Sequence, residues 1–126
     1  MSWFKVKIRQ VDKLFSQVIR QRDKMLCVYR FKCPSGTFGS QVSHWQKRRK
    51  ESVRCDLRNG DWVCGKCHYF VENDKDGQKT LDAFKLKQLG EKEYKSVLIL
   101  ANDGSKKYKD DAINILILKK LLTPSK

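Results

Sequence analysis

Cys64-Gly65-Lys66-Cys67-His68 decides how the rest of this chain is read. Two thiolates separated by two residues can grip one zinc ion, while the imidazole directly after them points elsewhere and is free for another ion or a substrate. A second pair, Cys27 and Cys33, lies upstream, so four thiols bracket about thirty residues in the manner of a zinc knuckle. The spacer in this first pair is five residues, against a usual two to four, which makes Cys33 the less regular ligand. The competing role for any of these thiols is that of a small buried hydrophobe.

The chain has 126 residues, a length that suits one domain with a modest core. Lys and Arg number 28 against 14 Asp and Glu, and the net charge of +14 makes a polyanion the default partner. No run approaches the roughly 18 apolar residues of a membrane span. The start, Met1-Ser2-Trp3-Phe4-Lys5, lacks the apolar segment of a signal peptide. The expectation is a soluble, intracellular protein with no membrane partner. Five cysteines in a reducing compartment favour metal binding over a disulfide framework.

Periodicity places the motif. Phe4, Val6 and Ile8 alternate with basic residues as a short strand or an extended basic arm. Val11, Leu14, Phe15, Val18, Ile19 and Leu26 fall at helical spacing over about four turns. Pro34, Gly36, Gly39 and Asn59-Gly60 mark turns, with Thr37-Phe38 and Gln41-Val42 as strand pieces, which predicts an irregular hairpin over 27–63. A helix starts near Cys64, runs through His68 and Phe70, and stops at the polar loop Asn73-Asp74-Lys75-Asp76-Gly77. Leu81, Phe84, Leu86 and Leu89 predict a short helix ended by Gly90, and Tyr94, Val97 and Leu98 a second one ending before Asn102-Asp103-Gly104. The last helix has Asp110 and Asp111 near its start and Lys119 and Lys120 near its end. Ile113 to Leu122 is apolar on more than one face, which implies burial on two sides, or a partner. The chain thus reads as one α+β domain: an arm and helix over 1–26, a zinc-stapled unit over 27–73 and a helical region over 78–126.

Inside the cysteine bracket lie Ser43-His44-Trp45, the basic run Lys47-Arg48-Arg49-Lys50, Asp56, Asn59 and then His68. Only two histidines exist in the chain, and both fall in this unit. A lone His is usually a polar residue satisfied by a hydrogen bond. The order of a His ending the first strand, an Asn late in the hairpin and a His on the following helix resembles the HNH, or ββα-metal, endonuclease family. The wider set Phe15-Ser16, Ile19-Arg20, Arg22-Asp23, Cys27, Ser43-His44, Arg48-Arg49, Val53-Arg54, Asp56, Asn59, Cys64, Cys67-His68 and Leu89-Gly90 resembles a zinc-stapled, phage-encoded branch of it, similar to the NinG or Rap recombination nucleases. The resemblance covers about residues 12 to 100.

The resemblance implies a ββα-metal finger stapled by zinc on Cys27, Cys33, Cys64 and Cys67, with an N-terminal helix and C-terminal helices around it. His44 would be the general base, Asn59 would orient its imidazole or the loop beside it, and His68 would ligate a catalytic Mg²⁺ or Mn²⁺. Ser43, where many members carry Asp, Glu or His, would be a weaker ligand to that ion. In the related pattern the second proximal thiol falls near Arg30, and Cys55 replaces an aromatic residue and reads as core. The implied setting is the cytoplasm of a bacterium or phage-infected host. Phosphodiester cleavage needs an in-line nucleophile and positive charge at the phosphate; a divalent ion can supply the charge, and a neutral His with a pKa near neutrality can supply the base.

Lys47, Arg48, Arg49, Lys50, Arg54 and Arg58 are opposed locally only by Glu51 and Asp56, and they adjoin His44. Such a run is often a solvated face; here it reads as DNA-phosphate contacts, whose binding weakens steeply with salt. Trp45 and Trp62 can stack on bases, although hairpin tryptophans are more often core. Two other functions compete: a non-catalytic zinc module that binds DNA, which Ser43 favours, and a recombination nuclease acting on branched DNA junctions. Two-strand cutting would need a homodimer, for which the apolar C-terminal helix offers a surface.

Overall fold

The computed structural model describes residues 9–103 and 111–122. The strand or arm expected at Phe4, Val6 and Ile8, like Asp110, lies outside the described residues. Helix α1, Gln10–Arg22, starts where the Asp12 carboxylate accepts the Arg9 backbone N–H at 2.8 Å, and it carries Arg20 and Arg22 in its last turn. It stops one turn short of the expected Leu26. Lys24 and Met25 adopt left-handed backbone angles, φ 57° and 64°, and Leu26 instead bridges Phe38 in an isolated antiparallel pairing. The Thr37-Phe38 strand piece is reduced to that bridge.

Strands β1, Gln41–His44, and β2, Gly60–Val63, pair antiparallel with His44 opposite Gly60 and Ser43 opposite Asp61. Between them the basic run and two short 3₁₀ turns form the loop. Alternation along the strands assigns their faces. Val42 and Trp62 pack with Phe15, Val18 and Ile19 of α1, while Val63 packs in the cluster around Cys27, Tyr29, Cys64 and Cys67. Gly60 is required by close approach: a Cβ there would sit 2.6 Å from Phe15 Cε2. The backbone of β2 therefore lies directly against the ring that supports His44.

Helix α2, Gly65–Asn73, follows β2 with Cys64 as its N-cap. Helix α3, Gly77–Ala101, is broken at Gly90, whose φ of 81° and ψ of 162° are not helical, so the two helices expected on either side of that glycine are both present. Helix α4, Asp111–Leu121, packs on α1 through buried Leu118, but Ile113, Leu116, Ile117 and Leu121 are exposed. Of the two expectations for this helix, burial on two sides or a partner, the first is not met among the described residues, where it is buried on one side. The architecture is α+β, with four helices and one two-stranded antiparallel sheet among the described residues, and no helix is long and apolar enough to cross a membrane.

Charges do part of the packing. Asp61, fully buried on β2, accepts from Lys85 Nζ at 2.9 Å and Gln88 Nε2 at 2.8 Å, which ties α3 to the sheet. Arg22 donates to the carbonyls of Leu57 and Gly60, both at 2.7 Å, and so fixes α1 to the same strand. Burial pushes the Lys85 pKa down, against the pull of Asp61. Removing one partner of such a pair leaves the other buried and uncompensated. Lys85→Met is expected to destabilise the fold by about 3 kcal/mol or more, read from the denaturant midpoint.

Candidate functional site

The four expected zinc ligands converge. The Sγ atoms of Cys27, Cys33, Cys64 and Cys67 all lie within 4.8 Å of one another, and Cys33 and Cys67 are 3.6 Å apart. Tetrahedral zinc with Zn–S near 2.3 Å places its sulfurs about 3.8 Å apart, so this cluster fits the ion. The five-residue spacer is accommodated at Arg30, whose φ of 57° folds the segment back and brings Cys33 over the site. Backbone donors support the thiolates: Lys32 N–H reaches Cys67 Sγ at 3.2 Å and Cys67 N–H reaches Cys64 Sγ at 3.4 Å. Burial works against ionising Cys27, yet N–H groups of Arg30 and Cys64 outweigh it and lower its pKa to about 7. Burial, reinforced by the neighbouring thiols, pushes Cys67 up to about 12. Four such sulfurs ionise together only around a cation. Cys55 stands apart, packed against the α1-side core, with burial raising its pKa to about 11.

On the α1 face of the sheet, the His44 ring stacks on Phe15 with centroids 5.2 Å apart and planes 23° apart. Its Nε2 is buried and has no hydrogen-bond partner. Burial, then the adjacent Arg48, lowers the His44 pKa to about 4, although Asp12 and a hydrogen bond to the Arg54 backbone favour the charged ring. His44 is therefore neutral at pH 7, but its pKa lies below the near-neutral value expected of it, which makes the ring a weaker proton acceptor in this state. Because the folded state resists protonating this ring, its contribution to stability is full above the unfolded-state pKa of about 6.5. It is lost as pH falls from there to about 4. Wild type should lose stability relative to His44→Gln across that window, as thermal melts at stepped pH would show.

His44 opens onto a cleft of about 760 Å³ that is also lined by Asp12, Gln41, Lys47, Arg48, His68 and Glu72. His68 reaches it from α2. Its Nδ1 lies 2.6 Å from Gln41 Oε1, which accepts the ring proton and turns the Nε2 lone pair toward Glu72 Oε1, 3.4 Å away. Burial, the largest influence, lowers the His68 pKa despite Glu72. A neutral ring nitrogen facing a carboxylate oxygen at this distance is an arrangement that a cation between them would satisfy. Glu72 also pairs with Lys47. The pair offers one ring nitrogen and one carboxylate, fewer protein donors than the four sulfurs of the cysteine cluster.

Asn59 bonds to the loop and not to the His44 ring. It is fully buried; its Oδ1 accepts Gln46 N–H at 2.6 Å, and its Nδ2 donates to the carbonyls of Gln46 and Val53 at 2.9 and 3.2 Å. Ser43 departs from its expected place. It is fully buried on the opposite face of β1 from His44, where its Oγ is 3.0 Å from the Tyr29 hydroxyl, so it does not reach the cleft. Arg54 is also displaced from its expected role, since it is buried and held by Asp12 at 2.6 and 2.9 Å and by Glu51 at 3.1 Å. Arg58 is engaged by Asp56 at 2.6 Å and Glu93 at 3.0 Å. Lys50 donates to Asn102 at 3.2 Å. Lys47 and Arg48 line the cleft, and Arg49 is exposed with no ion pair among the described residues.

Trp45 and Trp62 are both core. Trp45 is buried, donates to Asp82 at 2.9 Å and packs on Tyr94, and Trp62 is buried in the α1 cluster. Neither can stack on a base. The residues missed by motif reading are Glu72, Gln41 and Asp12. Glu72 had a legible signal, a carboxylate four residues after His68 on one helix face. Gln41 and Asp12 enter only through the pairing of β1 and the packing of α1. Comparison with protein-family models, curated proteins and solved structures finds no match for the chain.

Proposed function

We propose that this protein is a divalent-metal-dependent DNA endonuclease of the HNH type, with β1, β2 and α2 as its ββα-metal unit and structural zinc on Cys27, Cys33, Cys64 and Cys67. The observation that carries the reading is the convergence on one cleft of His44, whose buried Nε2 has no protein partner, with the His68–Glu72 pair, Lys47 and Arg48. His44 takes the proton of the attacking water, and Phe15 and the Arg54 backbone hold its ring. His68 and Glu72 would hold a Mg²⁺ or Mn²⁺, with Gln41 fixing the imidazole. Such an ion, when bound, would supply positive charge to the phosphate. Lys47, Arg48 and Arg49 bind the DNA backbone, and Asn59 fixes the loop that carries them.

Incubating supercoiled, linear and branched DNA with the protein and Mg²⁺ or Mn²⁺, beside a chelated control, tests this function. Nicking that requires the ion is the expected result, and intact DNA under every condition would refute it. The burial of Ser43 favours a second reading, a zinc module that binds DNA without cutting it, because the position that supplies a metal ligand in many similar proteins supplies none here. That reading predicts salt-sensitive binding and no cleavage.

A further inference from the structure

The face of α2 turned away from the His44 cleft carries a second concavity, about 660 Å³, lined by Lys32, Lys66, Tyr69, Phe70 and Asn73. Tyr69 is 70% exposed, and among the described residues its ring has no aromatic neighbour and its hydroxyl no hydrogen bond. Phe70, the next residue, is anchored against Phe31 at 5.9 Å between centroids, which fixes the helix turn that presents Tyr69. Lys32 Nζ lies 4.5 Å from the centre of the Phe70 ring, so its ammonium is held beside the concavity. Neither Lys32 nor Lys66 makes an ion pair among the described residues. One carboxylate, Asp74, also lines the concavity, and it is occupied in accepting the Asp76 N–H at 2.9 Å.

We propose that this face binds an unpaired nucleotide of a DNA strand, with Tyr69 stacking on the base and Lys32 and Lys66 contacting the flanking phosphates. The inference rests on the DNA-binding half of the proposed function and not on catalysis. An acidic peptide would satisfy the two lysines but would leave the ring unused, whereas a nucleotide engages both. The base must be unpaired, because a duplex offers side chains its base edges and hides the π-faces within the stack. Tyr69 directly follows His68 on α2, about a quarter-turn round the helix from it.

The test is binding of a labelled oligothymidylate and of a blunt duplex of equal length, without added divalent ion, by wild type, Tyr69→Ala, Tyr69→Phe and a Lys32→Gln/Lys66→Gln double variant. Thermal melts and zinc content check the fold, which an exposed ring does not support. Tyr69→Ala is expected to weaken single-strand binding about tenfold or more, with Tyr69→Phe and duplex binding within about twofold of wild type. The double lysine variant should flatten the salt dependence by about 0.7 in log–log slope for each phosphate it no longer neutralises. Unchanged single-strand affinity in Tyr69→Ala, an equal loss on duplex, or displacement by polyglutamate as readily as by unlabelled oligothymidylate would overturn the proposal. Loss of single-strand affinity in a protein that cleaves nothing would sink the nuclease function and leave this site standing; unchanged affinity in a protein that cleaves would do the reverse.

Discussion

His44→Ala should lower metal-dependent DNA cleavage by about 10² to 10⁴-fold, the range for removal of a general base, while DNA affinity stays close to that of wild type. The cause is local. Nε2 is the atom of this ring without a protein partner, and the ring is neutral at pH 7. Truncation also removes the face stacked on Phe15, so some stability is lost, and the comparison must be made well below the melting temperature. His44→Gln keeps more of the volume and should be equally inactive. Glu72→Gln provides the contrast: it removes the one charged donor of the His68–Glu72 pair, so its defect should shrink as Mn²⁺ is raised, whereas that of His44→Ala should not.

Removing the zinc site should unfold the centre of the molecule. Structural zinc contributes about 10 to 16 kcal/mol of apparent binding free energy in small fingers, comparable to or above the whole stability of a domain this size. Cys27, Cys64 and Cys67 are themselves core residues, packed with Tyr29, Val63, Val71 and Leu81. Without the ion, four thiols within 4.8 Å face one another in a buried cluster. Cys67→Ser, or prolonged chelation, should therefore abolish the cooperative thermal transition, and released zinc should titrate at one ion per chain. A melting curve unchanged after complete metal removal would mean that the cysteines only pack. Cys33→Ser is expected to be milder, because Cys33 is half-buried and sits at the end of the irregular spacer.

The spacing of Cys64, Cys67 and His68 by itself separates the two faces of α2. A helix that puts Cys67 into the core turns His68 about a quarter-turn away, toward the sheet edge. The helical period of Val11, Phe15, Val18 and Ile19 likewise defines the buried face of α1, and Gly90 marks a true break. The failures have one source: strand phase and ion pairing are set by tertiary partners. Ser43 and His44 are adjacent in sequence but lie on opposite sides of β1, so a motif that treats them as one unit puts Ser43 on the wrong face. Arg54 and Arg58 belong by composition to the basic run, yet besides the nearby Glu51 and Asp56 each has a carboxylate partner from a distant helix, Asp12 of α1 and Glu93 of α3. The same separation along the chain hid Asp12 and Gln41 from any local pattern.

Single-turnover nicking of supercoiled plasmid by wild type and His44→Ala, each purified with its zinc and assayed side by side with Mg²⁺ and Mn²⁺, is the most direct test of the cleft as a hydrolytic site. Nicking by wild type that needs the ion, and that falls at least about 10²-fold in the variant, is the predicted result. Equal nicking by both proteins, or none by wild type with either metal, would contradict it.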